Sequence, residues 1–249
     1  GGEELDLRDR RRAARNGDWR DRRRAARNGD WRGATLTGTG SATGPAAGHH
    51  PRMTRRMPLS HRRSFVQRHT RLREVDGVPG IRLHLADEVE PVWHALEEST
   101  GVEGAPIPFW AFAWAGGLAL ARWLGEHPAE VAGRRVLDLA TGSGLVAIAA
   151  AKAGAARVTA NDIDPFAEAA VGRNARANRV HVSYLDLDLL DGAPPDDVDV
   201  ILAADTWYEG PLATRVLPWL RAAAAAGVRA RAPAPEMWRR RGEGQPAWR

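Results

Sequence analysis

Asp138 stands in the apolar run "VLDL" (136–139), four residues ahead of Gly142 in "ATGSGL" (140–145). Paired glycines behind a strand let the backbone approach a ligand where a Cβ would intervene. Such a turn can cradle a pyrophosphate, a nucleoside triphosphate or the amino-acid end of S-adenosylmethionine. Gly142-Ser143-Gly144-Leu145-Val146-Ala147 fits G-x-G-x-x-G/A, and Asp162 lies 20 residues beyond Gly142, as in a dinucleotide fingerprint. No Gly-Lys-Ser/Thr follows, which excludes a Walker loop. Asp138 tips the balance. Its charge would repel a pyrophosphate, whereas it would accept hydrogen bonds from a cationic amino group beside a sulfonium. Gly142, Ser143 and Gly144 then form the cofactor loop, with the amides of the helix start meeting the ligand's carboxylate.

"ANDIDP" (160–165) adds Asn161 and Asp162 at a strand end, with Asp162 placed to chelate ribose hydroxyls. Asp164 precedes Pro165 and reads as the N-cap of the following helix. Asp188 follows the next strand; it either reaches an adenine amino group or is a solvated turn carboxylate. The eight histidines show no metal-ligand spacing, and the chain has no cysteine.

The elements that position these groups follow from periodicity. Short strands are expected at 71–75 and 81–86, a helix over 91–100 ended by Gly101, and a helix over 108–128 stopped by Pro128. From Arg134 the pattern alternates: strand 134–140, helix 144–153, strand 157–161, helix 165–178, strand 180–185, strand 198–203, helix 211–226. Repeated βα units of this length predict an α/β fold, a Rossmann-like doubly wound parallel sheet with ligands at the carboxyl ends of its strands.

Charge divides the chain. Residues 1–73 hold 19 arginines against 7 acidic residues, residues 74–220 hold 10 Lys/Arg against 22 acidic ones, and residues 221–249 hold 7 arginines against 2 glutamates. The basic pI near 10.7 therefore belongs to the ends. An acidic body does not attract a phosphate backbone, so nucleic acid is not an expected partner. Residues 1–63 read as a disordered basic tail, in which RDRRRAARNGDW at 8–19 recurs at 20–31. Met53 and Met57 are alternative start sites. The domain proper is expected over 64–227.

"RRVLDLATGSGLVAIAAAKAGAARVTANDIDPFA" resembles the core of class I, seven-β-strand SAM-dependent methyltransferases. Together with "PFWAFAWAGG" (108–117) and "DTWYEGP" (205–211), it is similar to methyltransferase family 16, above all to bacterial relatives of the electron-transfer-flavoprotein β-subunit lysine methyltransferases. The resemblance implies S-adenosyl-L-methionine as cofactor, a protein lysine as acceptor (possibly the electron transfer flavoprotein β subunit), and a cytoplasmic, monomeric enzyme without membrane contact. It implies a D-x-x-Y signature matched by Asp205 and Tyr208 as catalytic pair, and a loop over the cofactor matched by Trp114, Gly116 and Gly117. Ala140 replaces the first glycine of the usual D-x-G-x-G-x-G loop, an exchange tolerable where the backbone is still strand-like. After Gly227 the sequence "VRARAPAPEMWRRRGEGQPAWR" carries interrupting arginines and three prolines, so 228–249 reads as a non-native-looking basic tail with the C-terminal strands missing or degraded. Competing readings are a non-catalytic or truncated SAM-binding remnant and an NAD(P)-binding Rossmann oxidoreductase.

Overall fold

The computed structural model describes residues 57–207 and 210–233. The duplication at 8–31 and most of the basic tails lie outside the described residues. The first described helix, α1 (Leu59–His69), starts five residues before the expected onset of order at Ser64, because Phe65 and Val66 need a helical turn to reach the core. Strands β1 (Arg71–Glu74) and β2 (Arg82–Leu85) form an antiparallel hairpin, followed by α2 (Val89–Thr100). Gly101 ends α2 at φ +68°, a left-handed cap that glycine adopts without penalty.

The helix expected over 108–128 is two elements. Phe109–Ala111 form a single 3-10 turn, Phe112 and Trp114 are extended, and α3 (Ala115–Glu126) begins only there. The aromatic run therefore forms a wall ahead of the helix, and the reason for the late start is tertiary, as described below. Then come β3 (Arg135–Leu139), α4 (Leu145–Lys152), β4 (Arg157–Asn161), α5 (Pro165–Ala177), β5 (Ser183–Leu185), β6 (Val200–Leu202), α6 (Gly210–Ala225) and β7 (Arg229–Arg231). The strands expected at 180–185 and 198–203 are shorter than predicted, since only Ser183–Leu185 of the first and Val200–Leu202 of the second pair with neighbours.

The sheet runs β5-β4-β3-β6-β7, and every pairing is parallel. The chain winds outward from β3 to β5, returns across, and continues through β6 to β7. That reversal puts a topological switch point between β3 and β6, where ligands of such sheets sit. Val136, Leu137 and Leu139 of β3 are all buried, as a strand covered on both faces requires. One hydrophobic cluster gathers α3, α4 and the hairpin; another gathers Phe65, Trp110 and Phe166, with Trp110 stacked on Phe166 at 5.8 Å.

The C-terminal expectation needs correction at one point. Arg229–Arg231 pair with β6 as a parallel edge strand, so the arginines do not prevent a strand. They are compatible because the edge leaves their heads outside: Arg229 and Arg231 reach Glu130 at 3.3 and 2.7 Å, and Arg231 lies over the Trp123 ring at 5.9 Å.

Candidate active site

At the carboxyl ends of β3, β4 and β6 lies a cleft of about 650 Å³. It is lined by five aspartates (138, 162, 164, 188 and 205), by the glycine loop, and by an aromatic wall of Phe109, Trp110, Phe112 and Trp114. Arg215 is the one Lys or Arg among its described lining residues, and its guanidinium is held by Asp188 and Asp191, each at 2.8 Å.

Asp138 sits at the end of β3 with its side chain fully enclosed. One oxygen, Oδ2, accepts from Thr141 Oγ1 and from the Ala147 amide at 3.0 Å, so the carboxylate closes the glycine loop onto the first turn of α4. Burial pushes its pKa up to about 7, against the pull of those two hydrogen bonds, and the charges of Asp162 and Asp205 add to the rise. Without a cation beside it, Asp138 is therefore about half ionised at neutral pH. Its charge is something a cationic ligand would draw out.

The loop itself is left-handed at three places: Ala140 at φ +53°, Gly142 at +52° and Gly144 at +82°. The expectation of a strand-like Ala140 is thus overturned. The chain must turn away from β3 at once to free the switch point, and an L-residue there carries about 1–2 kcal/mol of steric cost. Ser143 is buried between the two glycines, and its carbonyl accepts from Asn174 Nδ2 at 2.8 Å.

Asp162 accepts from the Gly142 amide at 2.8 Å through Oδ2 and from the Asp164 amide at 3.0 Å through Oδ1. It joins the glycine loop to the β4 end while lining the cleft. Asp164 is the N-cap of α5, accepting from the Phe166 amide at 2.8 Å. Burial, with Asp162 adding, raises its pKa to about 7. Buried Asn161 spends its amide on the carbonyls of Leu185 and Leu187, at 2.9 and 2.8 Å, and so fixes the loop that carries Asp188. Asp188 caps the 3-10 turn Leu189–Asp191, accepting from the Leu190 amide at 3.1 Å, and pairs with Arg215 while its side chain stays partly exposed.

Asp205, past the end of β6, shows what sequence reasoning missed. Its Oδ1 accepts from the Gly116 amide at 2.8 Å and its Oδ2 from the Gly117 amide at 2.6 Å. A carboxylate 89 residues away in sequence is therefore the N-terminal cap of α3, which has no side-chain cap of its own. The glycines are needed for this: a Cβ at Gly116 would lie 2.6 Å from Asp205 Oδ1 and 2.9 Å from the Ala204 carbonyl oxygen. Burial raises the Asp205 pKa, opposed by the two amides. Trp114, one residue ahead of the helix, donates from Nε1 to the Phe109 carbonyl at 2.9 Å, which sets the aromatic wall. Tyr208 lies outside the described residues. Of the residues expected in the site, Trp114, Gly117, Asp138, Gly142, Ser143, Asn161, Asp162, Asp188 and Asp205 all line the cleft. Gly144 lies at the foot of the loop beneath it, packed against Val171 of α5. Arg215 was legible only as a basic residue on a helix after an acidic stretch; nothing in its surroundings marked it as the partner of Asp188.

Residues 122–204 match the family model described as ribosomal protein L11 methyltransferase (PrmA). The electron transfer flavoprotein beta subunit lysine methyltransferase of Danio rerio is 44% identical over 116 residues, covering 47% of this chain and 45% of that protein. Its Xenopus laevis counterpart is 37% identical over 159 residues, covering 64% and 63%. A ribosomal protein L11 methyltransferase of Alteromonas mediterranea is 44% identical over 91 residues, covering 36% and 30%. The chain thus spans between about a third and two thirds of the length of these relatives.

Proposed function

We propose that the chain binds S-adenosylmethionine in this cleft and methylates a lysine amine of a protein, a reading supported by its similarity to the ribosomal protein L11 methyltransferase model and to the lysine methyltransferases, and by its parallel sheet. The observation that carries the reading is the cleft's charge: five lining aspartates against one arginine that is already paired. A dinucleotide pyrophosphate would meet repulsion there, and a sulfonium with an ammonium group would not.

In this reading Asp138 and the backbone of Gly142, Ser143 and Gly144 hold the amino-acid end. Asn161 and Asp162 stand at the ribose, Asp188 at the adenine, and Trp114 and Gly117 cover the sulfur side. When bound, the sulfonium supplies an activated methyl group for an in-line displacement, in which positioning provides most of the acceleration. The chain's own task is to present the amine. A lysine of reference pKa about 10.4 is neutral in only about one molecule in 2,500 at pH 7. Asp205 attracts the ammonium and thereby opposes its deprotonation, so its part is to bind and orient; the proton leaves to water before attack. Tyr208 enters this reading only as the partner of Asp205 in the D-x-x-Y signature, and the aromatic wall keeps solvent from the reacting centre.

Similarity to the electron transfer flavoprotein beta subunit lysine methyltransferases suggests that subunit as acceptor protein, and that substrate, a cytoplasmic location and a monomeric state belong to the same proposal. Among the described residues, no helix is long and apolar enough to cross a membrane. Calorimetric titration with S-adenosylmethionine should give micromolar binding, and incubation with that acceptor protein should add methyl mass to a lysine-containing peptide. Binding of NAD in place of S-adenosylmethionine would overturn the reading.

A further inference from the structure

Helix α5 faces the glycine loop with two residues one turn apart. Val171 Cγ2 would lie 3.1 Å from a Cβ at Gly144, so the helix packs against the loop as closely as a glycine allows. Asn174, three residues on and with no exposed surface, donates from Nδ2 to the Ser143 carbonyl at 2.8 Å. Its Oδ1 accepts from the His84 amide of β2 at 2.7 Å. The two partners fix the orientation of the side-chain amide, because a backbone carbonyl can only accept and a backbone amide can only donate.

The peptide between Ser143 and Gly144 is thereby held at both ends. Its carbonyl goes to Asn174, and its N–H donates to the Thr141 carbonyl at 2.9 Å. Gly144, at φ +82°, offers no side chain to resist rotation of that peptide, so the hydrogen bonds alone set its plane. We propose that Asn174 is the positioning residue of the cofactor loop: anchored on the hairpin through His84, it fixes the Ser143 carbonyl and with it the part of the loop that faces the cleft. The consequence for ligand affinity rests on the S-adenosylmethionine reading above; the consequence for loop order does not.

Asn178, the C-cap residue of α5, which also donates to the Asn174 carbonyl at 2.8 Å, supplies an internal control. It accepts from the Arg82 amide at 3.0 Å and donates to the Arg82 carbonyl at 2.5 Å. It thus ties the same hairpin to the same helix without touching the glycine loop.

The experiment compares Asn174→Ser with Asn178→Ser by thermal melting, by calorimetric titration with S-adenosylmethionine, and by hydrogen exchange. Both variants should lower Tm. Only Asn174→Ser should speed exchange of the amides of residues 141–148 and raise Kd by about tenfold, the weight of one buried hydrogen bond. Loop exchange at the parent rate in Asn174→Ser, or equal loop and affinity changes in both variants, would overturn the proposal. If the parent protein does not bind S-adenosylmethionine, the functional reading fails, and the exchange comparison still decides the role of Asn174. Should Asn174→Ser not fold, Asn174→Gln keeps both polar groups but displaces them by one methylene, and the same two readings apply.

Discussion

Gly116→Ala tests whether Asp205 is the cap of α3. The added Cβ would stand 2.6 Å from Asp205 Oδ1, 2.9 Å from its Cγ and 2.9 Å from the Ala204 carbonyl oxygen. The carbonyl belongs to the strand end and cannot swing away, so the carboxylate or the helix start must move. Displacing the carboxylate costs two hydrogen bonds to a charged acceptor, about 1.5–3 kcal/mol each, and overpacking adds about 1–3 kcal/mol. Replacing glycine in a helix returns at most about 1 kcal/mol. These terms sum to a net loss of about 3–8 kcal/mol, or roughly 10 °C and more in Tm for a domain of this size. Two neighbours calibrate the result. At Gly117 the nearest contact is a side-chain oxygen at 3.3 Å, so Gly117→Ala should shift Tm little. At Gly125 nothing lies within 4 Å, so Gly125→Ala should stabilise by about 0.5–1 kcal/mol. Thermal melts of the three variants decide the matter: if Gly116→Ala melts within about 2 °C of the parent, the capping argument is wrong.

Other outcomes follow from the same geometry. Asp205→Asn places an amide N–H against one of the two glycine amides, so it should lower Tm as well as turnover; loss of turnover at unchanged Tm would mean that the carboxylate serves the substrate alone. Ala140→Gly relieves a left-handed alanine and should raise stability by up to about 1 kcal/mol, whereas a strand-like residue at 140 would make the same change destabilising. The Asp138 and Asp164 pKa values rise from 3.8 to about 7 on folding, so the folded chain holds protons that the unfolded chain releases. Their stabilising share is full below pH 3.8 and is lost as pH rises to about 7, so the unliganded protein should melt lower at pH 8 than at pH 5. A cationic ligand needs Asp138 ionised, so its Kd should tighten about tenfold from pH 6 to pH 8 in calorimetry. Asp138→Asn should remove that dependence; a Kd flat across the range in the parent would show that Asp138 does not sense the ligand.

Much of the scaffold was legible before any coordinates. The βα alternation from Arg134 gave the parallel sheet, because β3, β4 and β6 are each followed by a helical period, while β5 passes to β6 without an α-helix. Asp164-Pro165 announced the α5 cap, and Gly101 the end of α2, since both signals act within one turn of chain. The failures share a cause. The run at 108–114 adjoins the helical spacing of Leu118, Ala121 and Leu124 but stays out of the helix, and Arg229–Arg231 looks unfit for a sheet yet forms its edge.

The sequence by itself determined which residues could turn, pair in a sheet or carry charge: the glycines, the apolar strands, and an acidic body between basic ends. Only the tertiary structure decided which carboxylates share one cleft and what else they hold. Asp205 meets Gly116 and Gly117, Asn174 meets Ser143 and His84, and Arg215 meets Asp188, all across distances in sequence that no local pattern encodes. The reason is the crossing of the sheet at the switch point between β3 and β6: it brings strand ends from distant parts of the chain side by side, and burial raises the pKa values of Asp138 and Asp164 to about 7.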